Sequence, residues 1–154
     1  MITLTLLHPD IPQNAGAILR LCACLEIPLQ IIEPCGFIIG DKRYKRAVMD
    51  YGLHENITRF SSWENFLMKK RENKERLVLF TTSATDNYHD FNFRLGDQLI
   101  FGSESSGAPK EVHETVDKRL KIPISSNLRS INLAQCAAIA ASEALRQIDG
   151  FPKN

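Results

Sequence analysis

The sequence predicts an α/β fold in which a mostly parallel sheet carries helices on both faces. Short apolar and β-branched segments of strand length alternate with longer segments of helical periodicity, an order typical of parallel sheets. Polar, glycine-containing stretches follow several of the predicted strands, where such sheets bind ligands. With 154 residues and no internal repeat or linker, the sequence predicts one domain over residues 1–154.

The first half of the chain contains three predicted strands and three predicted helices. Apolar residues such as Ile18, Leu21 and Leu25 recur at helical spacing. Ser61 and Glu64 have the spacing of a capping box, which predicts the start of the third helix. The predicted strands cover residues 1–7, 29–32 and 57–60, and the predicted helices cover residues 14–25, 42–49 and 61–71.

The second half repeats this alternation and ends on an alanine-rich helix. Pro109 is suited to a first helical turn, and Asn132 is suited to cap the last helix with its side-chain oxygen. That helix has little polar surface, which predicts burial on more than one side, against its own sheet or a partner chain. The predicted strands cover residues 77–82, 98–101 and 120–124, and the predicted helices cover residues 109–117 and 132–147.

Composition excludes several classes of protein. The four cysteines contain no C-x-x-C pair and have no histidine at ligand spacing, so we expect no metal site. No apolar run approaches the roughly 18 residues that a membrane span requires, and the N-terminus lacks the pattern of a signal peptide. We therefore expect a cytoplasmic protein with no membrane partner.

The net charge of +1 does not by itself indicate a nucleic-acid-binding protein, but local basic clusters attract phosphates within a neutral total. The cluster at residues 42–46 has few neighbouring acids and is the better candidate for an RNA contact. The cluster at residues 69–76 is interleaved with acids and is interpreted as a solvated face. The basic residues are Lys42, Arg43, Lys45 and Arg46, then Lys69, Lys70, Arg71, Lys74 and Arg76, then Lys118, Arg119 and Lys121.

Three stretches carry the functional prediction: IPQNAGAILRLC at 11–22, FGSESSGAP at 101–109 and IPISSNLRSINLAQCAAIAASEALRQ at 122–147. The last places hydroxyls, an amide and an arginine before a helix N-terminus, a suitable place for a polar ligand. In order, the three resemble the motifs of the SPOUT RNA methyltransferases, and closely those of the small wobble-nucleotide tRNA 2'-O-methyltransferases. The resemblance covers residues 3–151.

This resemblance implies a deep C-terminal trefoil knot, which no periodicity in the sequence reveals. It implies S-adenosylmethionine as cofactor and methyl transfer to the ribose 2'-hydroxyl of nucleotide 34 of a tRNA, a cytidine or a modified uridine. The implied partners are a tRNA anticodon stem-loop and a second copy of the chain. Methylation at another tRNA or rRNA site, or RNA binding without methyl transfer, are the alternatives.

The resemblance also implies the catalytic residues. Arg20 matches the arginine that the family is proposed to use in activating the ribose hydroxyl, although a guanidinium has no acceptor and suits a phosphate or a developing alkoxide better. Asn14 is expected to cap its helix and orient the loop. Glu104 either holds its loop or orients the active site. Ser130 is expected near the cofactor and the route of the proton, and Asn132 is expected to orient the ribose or cap its helix.

Five residues are implied in cofactor binding. Gly102 lines the cofactor pocket, and Ile122 with its main chain forms the adenosine-binding edge. Phe80, at the end of its strand, forms another wall. Ser130 lies near the cofactor, and Leu133 closes the pocket with apolar surface.

The sequence departs from the family pattern at three positions. Ser103 stands where the family usually has Pro, which bears on the rigidity of the loop, and Ala108 stands where it has Leu. Ser142 replaces a Tyr, so an aromatic contact is lost there. Arg129 is a candidate phosphate or carboxylate contact.

Two other enzyme classes fit poorly. Residues 103–107 nearly match a hydrolase nucleophile elbow with Ser105 as nucleophile, but Ser103 replaces its first glycine. That fold requires an acid followed by a histidine, whereas the last histidine, His113, precedes Asp117. A dinucleotide or P-loop enzyme is disfavoured because neither glycine motif occurs.

Overall fold

The computed structural model describes residues 1–40, 42, 44, 46 and 57–153. The described strands are β1 (Thr3–Leu7), β2 (Leu29–Ile32), β3 (Ile57–Phe60), β4 (Leu77–Phe80), β5 (Asp86–Asn87), β6 (Gln98–Phe101) and β7 (Lys118–Lys121). The described helices are α1 (Pro12–Cys24), α2 (Trp63–Glu72), α3 (Lys110–Thr115) and α4 (Leu133–Gln147), with a short 3-10 helix at Tyr88–Asp90.

The seven strands form one sheet in the order β3-β2-β1-β6-β4-β7-β5. Every pairing between these strands is parallel, which confirms the predicted class of sheet. The strand ends of β1, β6, β4 and β7 therefore lie next to one another at one edge. This is the edge where α/β sheets bind ligands.

Helices cover both faces of the sheet, as predicted. Successive strand residues point to opposite faces, so Leu6 of β1 packs into one apolar cluster and Leu7 into the other. The first cluster includes side chains of α1 and α4, and the second includes side chains of α2 and α3. Burial of each such leucine contributes about 1.5–3 kcal/mol relative to exposure.

The alanine-rich helix α4 packs one face against α1 and the sheet. Small side chains let the two helices approach closely, and the opposite face carries the exposed residues Ser142 and Arg146. Burial against its own sheet, one of the two predicted options, is therefore observed. The fully buried residues of this helix are Ala137, Ala140, Ala141, Ala144 and Leu145.

The prediction that Asn14 caps the first helix was wrong. Helix α1 begins two residues earlier, at Pro12, whose fixed φ suits a first helical position. Its N-cap residue, Ile11, makes no side-chain capping hydrogen bond. Asn14 consequently lies inside the first turn, with its side chain turned to partners outside the helix.

The capping box at Ser61 was also misplaced by one residue. The N-cap of α2 is Ser62, whose Oγ accepts a hydrogen bond of 3.3 Å from the backbone N–H of Asn65. Ser61 instead accepts from the side-chain amide of Asn65, at 2.7 Å. Ser61 has a glutamate three residues later, whereas Ser62 has Asn65 at that spacing, so the capping-box pattern pointed to the wrong one of two adjacent serines.

Three further predictions differ from the structure or concern features that it does not describe. Strand β7 ends at Lys121, so residues 122–124 form an extended loop, and the two-residue β5 with the 3-10 helix was not predicted. Of the predicted basic helix at 42–49, the structure describes residues 42, 44 and 46 alone, each with helical backbone. The trefoil knot remains a prediction from the family resemblance.

Candidate functional site

A pocket of about 510 Å³ lies at the carboxyl edge of the sheet. It is formed by the loops after β4, β6 and β7, the first turn of α1 and the N-terminal end of α4. Residues separated by more than 100 positions in the sequence therefore meet at one cavity. Eight of the predicted site residues line it: Asn14, Phe80, Gly102, Glu104, Ile122, Ser130, Asn132 and Leu133.

The glycine turn, residues 102–107, forms one side of the pocket. Its ends are joined by two backbone hydrogen bonds between Ser103 and Gly107, of 3.1 and 2.9 Å. Ser103 is buried, and its Oγ accepts from the backbone N–H of Ser106 at 3.2 Å and hydrogen-bonds the Ser106 hydroxyl at 2.8 Å. These bonds restrain the turn at the position where the family usually has proline.

Gly102 has no room for a side chain. A Cβ atom at this position would lie 2.5 Å from the Ala108 nitrogen and 2.5 Å from the Gly107 carbonyl carbon. Both are backbone atoms and cannot turn away as a flexible side chain could. Glycine at this position thus allows the start and end of the turn to pass close together.

A chain of hydrogen bonds connects the glycine turn to both helices at the pocket. The Asn14 side-chain amide donates to Glu104 Oε1 at 2.9 Å, and Asn14 Oδ1 accepts from Asn132 Nδ2 at 3.0 Å. The side chain of Asn14 is thereby fixed in one orientation, and the residue is 8% exposed. Asn14 therefore links the turn to the N-terminus of α4.

Asn132 caps α4, as predicted. Its Oδ1 accepts from the backbone N–H groups of Ala134 at 2.9 Å and Gln135 at 3.4 Å. An amide nitrogen carries two N–H donors, and the bond to Asn14 uses one of them. The second donor makes no hydrogen bond among the described residues, and it lies at the pocket, where the partial positive charge of the helix N-terminus also favours electron-rich ligand atoms.

Sequence reasoning missed Asp10, which holds the glycine turn from the β1 side. Its backbone N–H donates to Glu104 Oε2 at 2.7 Å, and its carboxylate accepts from both the hydroxyl and the backbone N–H of Ser105. The Ser105 hydroxyl, more than any other group, holds the pKa of the Asp10 carboxyl below its ordinary value. An acid three residues after a strand that ends at the ligand edge was the available signal.

Aromatic and aliphatic side chains form the apolar walls of the pocket. Phe80 stacks on Phe101 with ring centroids 5.2 Å apart and lies parallel to Phe93 at 6.5 Å. Ile122 and Leu133 contribute aliphatic surface to the same pocket. The cavity thus combines flat apolar surface with hydroxyl, amide and carboxylate groups.

Two arginines were singled out in the sequence, and the structure places them differently. Arg129 lines the pocket beside Ser130. Arg20 is exposed on α1 and does not belong to the lining of this pocket in the described part of the chain. Asn14 and Arg20 share a helix, but the structure does not bring Arg20 to the cavity.

The basic cluster at residues 69–76 is largely committed to ion pairs. Lys70 pairs with Glu75 at 3.1 Å and is almost fully buried. The other two described pairs are Arg71 with Asp117 at 2.8 Å and Arg76 with Asp97 at 2.7 Å. These contacts hold the protein's own elements together, which favours a structural role for the cluster.

The described residues contain no cluster of histidine, cysteine and acidic side chains with the size of a metal site. Within the same residues, no helix combines the length and apolarity needed to cross a membrane. To a ligand, the pocket offers hydrogen-bonding groups, apolar surface, the Glu104 carboxylate and the Arg129 guanidinium.

The sequence and the fold both match known methyltransferases. The SpoU rRNA Methylase family matches residues 1–142. The tRNA (cytidine(34)-2'-O)-methyltransferase of Beijerinckia indica subsp. indica is 45% identical over 150 residues, 97% of this chain and 94% of that protein. A solved structure concerned with the 2-OH methylation of C/U34 on tRNA has a TM-score of 0.90 and 39% identity, with 97% of each chain covered.

A more distant structure shares the fold. The SpoU methyltransferase AviRb of Streptomyces viridochromogenes, in complex with AdoMet, has a TM-score of 0.85 at 21% identity, over 96% of this chain and 60% of that one. The family match covers most of the chain, and the first relative exceeds 40% identity over nearly all of it. This chain belongs to the SpoU rRNA Methylase family.

Proposed function

We propose that the chain is an S-adenosylmethionine-dependent tRNA 2'-O-methyltransferase that modifies the ribose of the wobble nucleotide, cytidine or modified uridine. The proposal draws on the family membership and on relatives named for this activity over nearly the whole chain. The observation that supports it most is the pocket at the sheet edge, where hydrogen bonds between Glu104 and Asn14 and between Asn14 and Asn132 connect the three sequence motifs.

The pocket suits S-adenosylmethionine in size and chemistry. Its volume of about 510 Å³ is ordinary for a small-molecule site. Phe80, Ile122 and Leu133 offer apolar surface to an adenine ring, while the glycine turn and Ser130 offer polar groups to the rest of the molecule. When bound, the cofactor supplies an electrophilic methyl group on its sulfonium. Gly102 and Phe80 are thus assigned to binding.

The protein's own part in the reaction is orientation of the ribose hydroxyl. Asn132, fixed through its cap and through Asn14, presents its remaining N–H donor to the ribose, and Ser130 offers a hydroxyl beside it. Glu104 acts by holding Asn14, because its two oxygens accept from Asn14 and from the Asp10 backbone. Alignment of this kind lowers the barrier by removing unproductive orientations.

Arg20 is assigned to the developing charge on the ribose oxygen or to a neighbouring phosphate. A guanidinium stays protonated and cannot remove the proton. Its exposed position on α1, outside the lining of the pocket, suits a group that meets the RNA. Lys42 and Arg46, both exposed, are proposed to extend this contact to the anticodon stem-loop.

We further infer that residues 1–154 act as one domain within a homodimer in the cytoplasm, where tRNA is available. A chain with a net charge of +1 offers little positive surface to tRNA, and two copies double the number of basic clusters. Sedimentation at micromolar concentration tests the dimer, and a monomer would contradict it.

The activity is tested with purified protein, S-adenosylmethionine and tRNA. Calorimetry with S-adenosylhomocysteine measures cofactor binding, and mass spectrometry of nuclease digests locates the methylated nucleotide. We expect 2'-O-methylation at position 34. RNA binding without cofactor binding would indicate a non-catalytic module, and methylation elsewhere would replace the proposed substrate site.

A further inference from the structure

Asp10 contacts the glycine turn at two successive residues. Its backbone N–H donates to Glu104 at 2.7 Å, and its carboxylate oxygen Oδ2 accepts both the backbone N–H of Ser105, at 3.1 Å, and the Ser105 hydroxyl. These bonds join Asp10 to residues that lie 94 and 95 positions further along the sequence. Hydrogen bonds to an ionised acceptor are about twice as strong as neutral ones.

Ser105 is held from outside the pocket. Ser105 does not line the pocket, whereas the rest of the turn does: Gly102, Ser103, Glu104, Ser106 and Gly107. The bonds within the turn join Ser103 to Ser106 and Gly107 and leave the tip to be fixed by something else. The Asp10 carboxylate supplies that restraint without occupying space that a ligand would need.

Asp10 is itself backed by the loop after β2. The backbone N–H of Gly36 donates to the Pro9 carbonyl at 2.9 Å. A Cβ atom at Gly36 would lie 2.9 Å from the Asp10 Cα, so the two backbones are in direct contact. Movement of Asp10 away from the turn is therefore opposed by a neighbouring strand connection.

We propose that Asp10 is a positioning residue that holds the glycine turn in its ligand-binding shape before the ligand arrives. The inference rests on the proposed function, because it takes the turn to be part of the cofactor site. A turn that is already ordered has less conformational entropy to lose on binding, so the cofactor binds more tightly. Asp10 acts through Ser105 and Glu104 and does not touch the cofactor.

The first measurement is hydrogen exchange at the Ser105 amide in the unliganded protein. In Asp10→Ala this amide loses its acceptor, and we expect exchange at least about tenfold faster than in the wild type, the factor of one charge-assisted hydrogen bond. Ser105→Ala removes the hydroxyl but keeps the hydrogen bond from the backbone N–H of residue 105 to Asp10, so we expect a smaller increase in the exchange rate. The control is Asp149→Asn, which removes the same charge from a side chain that is 96% exposed.

The second measurement is the affinity for S-adenosylhomocysteine. We expect Asp10→Ala to weaken binding about tenfold and to raise the KM for S-adenosylmethionine similarly, while kcat at saturating cofactor stays within about threefold. A residue that merely supports folding would lower the melting temperature without this division between KM and kcat. Asp10→Asn retains a neutral acceptor and should lie between wild type and Asp10→Ala.

The two measurements separate the inference from the proposed function. If Asp10→Ala and Asp10→Asn leave both Ser105 exchange and cofactor affinity within about twofold of wild type, the positioning role is overturned. If the wild type fails to bind S-adenosylhomocysteine, the proposed function fails. The exchange experiment still tests whether Asp10 restrains the glycine turn. If Asp10→Ala does not fold, Asp10→Asn and Ser105→Ala carry both measurements.

Discussion

The side-chain amide of Asn132 donates to the side-chain oxygen of Asn14 at 3.0 Å, across 118 positions of sequence. The same Asn132 caps α4 through its oxygen. One side chain therefore starts a helix and fixes the orientation of a second amide, which in turn is bound by Glu104. Helix capping and site assembly depend on the same residue.

Substitution of Asn132 should separate these two roles. Asn132→Ser retains an oxygen that can cap α4 but has no amide to donate to Asn14, so we expect nearly normal stability with a large loss of methyl transfer. Asn132→Ala removes both, and the lost cap should cost about 1 kcal/mol in addition. Urea denaturation and single-turnover methylation measure the two effects. Equal activity of Asn132→Ser and wild type would contradict the orienting role.

The different outcomes of the sequence predictions have one physical origin. Asn132 was correctly predicted as a cap because the partners of a cap lie two and three residues ahead, within the local pattern. Asn14 was wrongly predicted as a cap because its partners lie 90 and 118 residues away. Asp10 was missed for the same reason, and β5 is too short to show any periodicity. Alternating strands and helices, in contrast, are local and predicted the sheet.

Gly102→Ala should damage the site more than the fold. The added Cβ would meet backbone atoms of Gly107 and Ala108 at 2.5 Å, so the glycine turn must open. We expect loss of S-adenosylhomocysteine binding, measured by calorimetry, and a destabilisation of about 1–3 kcal/mol. Gly96→Ala is the matched control, because Gly96 has a φ of +89° but open space around it. That variant should lose about 1 kcal/mol from strain and retain cofactor binding; a Gly102→Ala protein with normal affinity would refute the close-packing argument.

Arg20→Ala should abolish turnover while leaving cofactor affinity nearly intact. Arg20 is exposed on α1 and is not part of the described pocket lining, so we expect its removal to leave cofactor binding there unchanged. Loss of one group that stabilises developing charge costs about 10²–10³ in kcat. Calorimetry and a methylation assay measure the two quantities, with Arg20→Lys as the charge-conserving variant. A large loss of cofactor affinity would show that the assigned role is wrong.

Acid should destabilise the protein within a defined window of pH. The Ser105 hydroxyl lowers the pKa of Asp10, and hydrogen bonds from Arg146 and then Gln147 lower the pKa of Glu143 to about 2. Both folded pKa values lie below their unfolded values, so these groups contribute stability above about pH 4.5 and lose it as the pH falls through the folded values. Between pH 6 and 8 their contribution should be constant.

Urea midpoints measured from about pH 6 down to about pH 2.5 test this window. In Glu143→Gln the urea midpoint should fall less steeply as the pH falls, because the variant has no carboxylate at position 143 to be protonated. Glu114→Gln, which removes a carboxylate that is 61% exposed on α3, is the control for the loss of one negative charge. If the urea midpoint falls equally with pH in wild type and Glu143→Gln, Glu143 does not contribute to the loss of stability in acid.

Cysteine labelling provides a test of the pocket that does not depend on catalysis. Burial raises the pKa of Cys22 to about 12, whereas Cys24 is exposed, two residues further along α1. Because the thiolate is the reactive form, iodoacetamide should modify Cys24 first and Cys22 last. Mass spectrometry of peptides follows each site.

The decisive thiol is Cys136, which lies on α4 and lines the pocket. Burial raises its pKa, so labelling should be slow but measurable at alkaline pH. A cofactor seated between the glycine turn and α4 would cover it, and S-adenosylhomocysteine should therefore slow modification of Cys136 while leaving that of Cys24 unchanged. If S-adenosylhomocysteine binds by calorimetry but does not protect Cys136, then it occupies some other part of the protein, and the residues assigned to the cofactor are the wrong ones.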